Sequence, residues 1–116
     1  MSSEAREGAA SLISGWSLGG KADAVVVLGD FNAEDDTHEI QTLIDGGLID
    51  TYYHSDTRCR RGFGTYTTFE PASKGSSRID YIMVRGARGV WTCADEFIKH
   101  GYYISDHLPV HTSLMW

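Results

Sequence analysis

Polar residues that could bind a metal ion or move a proton lie in three short motifs: GDFN at 29–32, RIDYI at 78–82 and SDHLPV at 105–110. A carboxylate paired with an imidazole fixes the histidine tautomer and raises its basicity. Carboxylate and amide oxygens, with no cysteine cluster, favour Mg²⁺ or Mn²⁺ over structural Zn²⁺. Together these groups indicate a site suited to hydrolysis of a P–O bond.

Each motif also has a plainer structural interpretation when it is taken alone. Asp30 and Asn32 could form an Asx turn that ends a strand. Asp80 could occupy an exposed position on an alternating strand, although a carboxylate inside that apolar stretch is costly unless it is paired. Asp106 and His107 could cap an element or lie on the surface. The three motifs therefore indicate a catalytic site chiefly through their combination.

Two other known arrangements do not fit these residues. A calcium-binding EF-hand loop starting at Asp30 would need Gly where Asp35 stands and Glu where Gln41 stands. Ser105, Asp106 and His107 are not a serine-hydrolase triad, because neighbouring side chains in an extended segment diverge. Asp106 and His107 must therefore face different partners.

The elements that would position these motifs follow from hydrophobic periodicity and from turn residues. We expect helices over 4–18 and 37–46, strands over 24–28, 65–69, 79–84, 90–97 and 109–115, and a basic loop over 55–64. Ser3 is the expected cap of the first helix. The fold class is α/β, or α+β by some schemes, with a mixed, mostly antiparallel sheet covered by two helices.

Length and composition limit the classes of protein that remain. The chain has 116 residues, 12.8 kDa and a net charge of −6, which fits one compact unit. It contains no apolar stretch of 18 residues, so we expect no membrane span. Neither a basic, apolar leader nor a cysteine framework is visible, so we expect an intracellular protein in which Cys59 and Cys93 are free thiols.

Charge is divided unevenly along the chain. Seven of the 10 Lys and Arg residues, but only two of the 16 acidic residues, lie between Arg58 and Arg88. This pattern is typical of solvated loops on different faces, but it also fits a basic patch that attracts an anionic substrate. A plain anion-binding module built on this segment is therefore one alternative to an enzyme.

With these motifs in this order, the sequence resembles the endonuclease/exonuclease/phosphatase superfamily, the deoxyribonuclease-I-like hydrolases. The resemblance runs from about Ala5 to Leu114. It implies divalent-metal-dependent hydrolysis of phosphoester bonds, of the nuclease or phosphatase type, with Mg²⁺ or Mn²⁺ as cofactor. The implied substrate contains phosphate: a nucleic acid, an inositol phosphate or another phosphodiester.

The resemblance also assigns roles to single residues. It implies that Asp30 and Asn32 position the attacking water and contact the scissile phosphate, with both as further metal ligands in some arrangements. Asp80 would orient the catalytic His107, and Asp106 would bind the metal. Three further residues are expected to line the substrate cleft: Arg78, Tyr66 and Phe69.

Family members resemble a four-layer α/β sandwich of two similar halves, about twice as long as this chain. The chain resembles the C-terminal half only, as a single unit over 1–116. We find no counterpart for the metal-binding Glu and the Asn of the other half, so a catalytically silent half-domain is the main alternative. Either way we expect an exposed apolar sheet face that pairs with a second copy or with an N-terminal half.

Overall fold

The structure is a computed structural model that describes residues 2–59, 64–69 and 77–116. Three helices and eight strands occur within these residues. In chain order they are α1 (Ser3–Gly19), β1 (Val25–Asp30), α2 (His38–Asp45), β2 (Ile49–Asp50), α3 (Thr51–His54), β3 (Ser55–Arg58), β4 (Asp80–Arg85), β5 (Arg88–Ala94), β6 (Ile98–Lys99), β7 (Tyr102–Tyr103) and β8 (Val110–Met115). The mixed α/β class expected from the sequence is confirmed.

The first sheet has the strand order β1-β4-β2, and both pairings are antiparallel. Its register places Val27 opposite Met83, Leu28 opposite Ile82 and Asp30 opposite Asp80. Because side chains alternate across a strand, Val27 and Met83 share one face of the sheet. Leu28 and Asp30 therefore lie on the other face.

Helices α1 and α2 cover the Val27 and Met83 face and form the core with it. The core joins residues of both helices to the central strand, and its members are Ala10, Ala33, Ile40, Leu43, Leu48, Tyr81 and Met83. Met83 is completely buried. The hydroxyl of Ser2, rather than the expected Ser3, caps α1 by accepting from the backbone nitrogen of Ala5 at 3.1 Å.

The second sheet has the order β3-β5-β8, with a parallel and an antiparallel pairing. Cys59 follows β3 and Cys93 lies on β5, and the two form a disulfide with their Cα atoms 4.8 Å apart. The expectation of two free thiols is therefore wrong. The pair could not be predicted from spacing, because 34 residues separate the two cysteines and only the pairing of adjacent strands brings them together. Disulfides are typical of oxidising compartments, so the cysteines no longer support an intracellular location.

Several element boundaries differ from the expectations. Residues 65–69 do not form a strand, because only Tyr66 makes isolated bridges, to Ser77 and to His107. The expected loop over 55–64 begins with strand β3, and its residues 60–63 lie outside the described part. The expected strand over 90–97 ends at Ala94 and is followed by a separate hairpin of β6 and β7.

One face of the first sheet is open along β1. Val26 and Leu28 are 44% and 66% exposed, whereas Met83 on the helix-covered face is buried. This agrees with the apolar sheet face expected from the sequence. None of the described helices is long and apolar enough to cross a membrane.

Candidate active site

An imidazole–carboxylate pair lies where β4 begins and β8 is about to start. The Nδ1 atom of His107 is 2.8 Å from Oδ2 of Asp80, within hydrogen-bond distance. This bond raises the pKa of His107 above its ordinary value of 6.5, although partial burial acts in the opposite direction. Because Nδ1 is engaged with Asp80, Nε2 is the ring atom left to meet a substrate or water.

Asp30 completes the cluster from the neighbouring strand. Its Oδ2 atom is 3.9 Å from Nε2 of His107. The antiparallel register of β1 and β4 makes this possible, since Asp30 and Asp80 are cross-strand partners on the same face. Among the described residues, donor atoms of Asp30, Asp80 and His107 lie within 4.8 Å of one another. The sequence separates these residues, but the register brings them together.

Two buried threonines join the segments that carry this cluster. The Thr65 hydroxyl accepts the backbone N–H groups of Ile79 and Asp80 at 3.0 and 3.1 Å, and the Thr65 carbonyl accepts that of Leu108 at 2.7 Å. The backbone nitrogen of Thr67 donates to the Asp106 carbonyl at 2.5 Å. Thr65 thus fixes the start of β4 relative to the segment containing His107. The sequence does not indicate these roles of Thr65 and Thr67, because a Thr-rich stretch is typical of an ordinary strand.

The GDFN turn is held by β4 and by its own side chains. The backbone nitrogen of Phe31 donates to the Ile79 carbonyl at 2.8 Å, and the hydroxyl of buried Tyr81 donates to the Ala33 carbonyl at 2.7 Å. The Phe31 and Tyr81 rings stack with centroids 5.1 Å apart. Burial raises the pKa of Tyr81 well above its usual range, so its hydroxyl remains a donor.

Asn32 lies at the tip of this turn in the left-handed region, with φ 51°. Asparagine tolerates that conformation better than most residues do. Its backbone nitrogen donates to Oδ1 of Asp30 at 2.8 Å, which fixes the Asp30 carboxylate at the end of β1. The Asp-x-Asn spacing in the sequence therefore corresponds to a turn that orients Asp30.

Asp106 lies next to His107 but outside the 4.8 Å cluster. It is half-buried, and its carbonyl is taken by Thr67. Its negative charge contributes to the raised pKa of His107, after the larger effects of Asp80, burial and Asp30. The Asp106 carboxylate is therefore not part of the described cluster, in which the oxygens of Asp30 and Asp80 are donors that suit a hard cation such as Mg²⁺.

The predicted cleft residues occupy different environments. Tyr66 lies beside the His107–Asp80 pair, with its ring edge-to-face against His107 at 5.5 Å. Phe69 is half exposed, and its carbonyl accepts from the backbone nitrogen of Tyr103 at 2.7 Å. Arg78 instead points into a cluster of two carboxylates, at 2.5 Å from Asp50 and 3.3 Å from Asp35. Their roles in substrate binding remain predictions.

The Arg78 cluster has its own electrostatics. Burial alone would lower the pKa of the guanidinium, but the bonds to Asp50 and Asp35 raise it above the usual value. Its Cζ atom also lies 4.4 Å from the centre of the Tyr52 ring. The hydroxyl of Tyr53 donates to Asp35 and lowers the pKa of that carboxyl. The positive charge of Arg78 is therefore balanced by carboxylates within the fold. His107, in contrast, keeps one ring nitrogen that is not bonded to Asp80.

The match to a family model decides the classification. Residues 10–107 match the model of the endonuclease/exonuclease/phosphatase family. The match covers most of the chain and all three motifs up to His107. The chain belongs to this family. A comparison with curated proteins gives no match.

Solved structures give a consistent likeness. The chain is similar to a mannosyl-6-phosphatase of Bacteroides thetaiotaomicron, with 29% identity and a TM-score of 0.84 over 100% of this chain and 48% of that one. A second protein of that organism, from the same family, gives 28% identity and a TM-score of 0.84 over 98% and 44%. A conserved protein of unknown function from Enterococcus faecalis has 26% identity and a TM-score of 0.80, over 99% of this chain and 46% of that one. The chain spans about half the length of these structures.

Proposed function

We propose that this chain carries the proton-transfer and metal-binding part of a divalent-metal-dependent phosphoester hydrolase. The single observation that supports it most is the His107–Asp80 pair at 2.8 Å, with Asp30 within 4 Å of the free ring nitrogen. A histidine whose protonated form is stabilised by one carboxylate, and which lies next to a second carboxylate, suits proton transfer between water and a phosphoester. The proposal builds on the hydrolysis of phosphoesters that is the general activity of the family.

In the proposed mechanism, Asp80 orients the imidazole and stabilises its protonated form. The Nε2 atom of His107 either accepts a proton from water or, when protonated, donates a hydrogen bond to a phosphate oxygen. Asp30 and Asn32 hold the attacking water and contact the phosphate. Thr65 keeps Asp80 and His107 in register, so the pair needs little rearrangement during the reaction.

The proposed cofactor is Mg²⁺ or Mn²⁺, held mainly by Asp106, with Asp30 and Asn32 as further ligands. Carboxylate and amide oxygens are donors that suit such an ion, and Asp30 already belongs to the described cluster of possible ligand atoms. When bound, the ion would polarise a phosphoryl oxygen and lower the pKa of a bound water.

The proposed substrate is a phosphate ester, with nucleic acids, inositol phosphates and other phosphodiesters as members of the class. The similar mannosyl-6-phosphatase makes a phosphomonoester a member of the same class. Because the site residues contact phosphate rather than the group attached to it, they do not by themselves select among these substrates.

Hydrolysis of bis(p-nitrophenyl) phosphate and p-nitrophenyl phosphate tests the proposal with a diester and a monoester. We expect turnover with Mg²⁺ that stops in EDTA and falls about a hundredfold or more in His107→Ala, since general acid–base catalysis contributes at least that much. The matched control is His38→Ala, which removes an exposed histidine of α2 that pairs with Glu7. Equal activity in wild type and His107→Ala, or none in either, would contradict the proposal.

A second candidate function rests on the exposed Val26 and Leu28 of β1. A catalytically silent half-domain would use this face to bind an N-terminal half or a second copy of the chain. We favour the N-terminal half as the occupant, because the similar structures are about twice as long as this chain. Sedimentation separates the two occupants: a monomer with Leu28 exposed is the result expected for the N-terminal half, whereas a dimer that Leu28→Lys dissociates contradicts it and assigns the face to a second copy.

A further inference from the structure

An apolar groove opens directly beside His107. It has a volume of about 250 Å³, and five apolar residues line it next to the imidazole: Phe97, Tyr103, Ile104, Leu108 and Pro109. Drug-sized binding pockets hold about 300–1,000 Å³. The groove is therefore sized for a single ring or a short alkyl chain and not for a large ligand.

One wall of the groove is formed by a short hairpin. Strands β6 and β7 are joined by His100 and Gly101, with φ 55° and 84°, and two-residue turns with positive φ suit the twist of a hairpin. Buried Tyr103 anchors the hairpin through its backbone bond to Phe69. The Ile104 nitrogen donates to the Phe97 carbonyl at 3.1 Å. Backbone hydrogen bonds therefore hold this hairpin in place beside the groove.

Its lining offers apolar surface and few polar partners. Phe97 and Ile104 are 52% and 64% exposed, so each has apolar area that a ligand could remove from water. Besides the phenol of Tyr103, the polar side chains of the lining are those of Ser105 and His107, and the Ser105 hydroxyl already accepts the His107 backbone N–H at 3.1 Å. A hydroxyl-rich or charged occupant would find little compensation for losing its water.

We propose that this groove binds the organic group of the phosphate ester and selects esters in which that group is an alkyl chain or an aromatic ring. The inference rests on the proposed function, because His107 lines the groove and holds the phosphate in that scheme. The groove shares Leu108 and Pro109 with the neighbouring depression that Asp30 and Asp80 line. A group attached to a phosphate held there is therefore next to the groove. Phe97 and Ile104 are then specificity-determining residues that touch the substrate but take no part in proton transfer.

Binding of phenyl phosphate and methyl phosphate to the 116-residue chain, measured by calorimetry with Mg²⁺, tests this inference. The two ligands share the phosphate and differ in the size of the apolar group. We expect phenyl phosphate to bind about tenfold more tightly, which corresponds to about 1.4 kcal/mol. Phe97→Ala and Ile104→Ser should remove most of that preference and leave the affinity for methyl phosphate unchanged.

Leu12→Ser is the matched control, because Leu12 is an exposed aliphatic residue of α1 and should leave both affinities unchanged. Unchanged methyl phosphate binding also shows that each variant is folded. Equal affinity for the two esters in wild type overturns the groove assignment and leaves the proposed function standing. Failure of both esters to bind overturns both the groove assignment and the proposed function. A shift in sedimentation caused by Ile104→Ser, without a change in ligand preference, assigns the groove to a protein contact and overturns the inference.

Discussion

The two faces of strand β1 differ in burial. Val27 packs against the core beneath α1 and α2, whereas Val26 and Leu28 on the opposite face are exposed. The polar residues at the end of that open face are nevertheless held by bonds within the chain, from Thr65 and Asn32. The chain therefore holds the candidate site with its own hydrogen bonds, although Val26 and Leu28 on the same face are exposed.

The largest expected effect is on the free energy of unfolding, which a substitution on the helix-covered face should lower far more than one on the open face. Met83→Ala should lower the free energy of unfolding by about 2–5 kcal/mol, because it leaves a cavity in the helix-covered core. Leu28→Ala should change it by less than about 0.5 kcal/mol, since Leu28 is exposed. Urea unfolding measures both variants. Equal destabilisation would mean that the open face is covered in solution.

The disulfide gives the next largest effect. Reduction of Cys59–Cys93 should lower the free energy of unfolding by about 2–4 kcal/mol, because it releases a constraint on the unfolded chain. Protein purified without reductant should show no reactive thiols in a colorimetric thiol assay. The double variant with Cys59→Ser and Cys93→Ser should not respond to reductant. Two titratable thiols in the native, unreduced protein would contradict the pairing.

Thr65 provides a test at the candidate site, where its hydroxyl accepts two backbone N–H groups at the start of β4. Thr65→Val keeps the shape but leaves two backbone N–H groups without their acceptor, at a cost of about 1–3 kcal/mol in stability. Because Thr65 acts through Asp80, the variant should also shift the pH dependence of hydrolysis, whereas Thr65→Ser should restore it. A loss of stability with an unchanged pH profile would show that Thr65 supports only the fold.

The smallest effect is the pH dependence of the His107–Asp80 pair. The pKa of His107, measured by NMR in metal-free protein, should lie above 6.5, and Asp80→Asn should lower it. A raised folded-state pKa means that this pair stabilises the protein fully below pH 6.5. The contribution is lost as pH rises through the folded pKa. A His107 pKa at or below 6.5 would contradict the hydrogen bond to Asp80.

Much of the candidate site could be predicted from sequence, because short motifs at strand ends carry it. Asp30, Asp80 and His107 meet as the three motifs indicate, with antiparallel register bringing Asp30 opposite Asp80. The interior position of Asp80 was informative, since a carboxylate there needs a partner. Helices α1 and α2 were also predictable, because their apolar spacing and terminal glycines act locally, whereas the single-turn helix α3 was not predicted.

The rest depended on contacts between distant segments. Thr65 looked like an ordinary strand residue, and its role appears only when residues 77–80 and 106–108 lie on either side of it. The Cys59–Cys93 pair required the parallel pairing of β3 with β5. Arg78 looked like a substrate contact from its charge and position. Its burial between Asp50 and Asp35 could not be read from the motif.

The central claim is that this chain assembles a divalent-metal site next to His107 by itself. The most direct test is a titration with Mn²⁺, whose paramagnetism broadens the NMR signals of nearby nuclei. The chain has five histidines, so their ring signals report on five places in one experiment. We predict that the His107 signals broaden first and that Asp106→Asn removes this preference. Equal broadening of all five, or broadening that begins at another histidine, would contradict the claim.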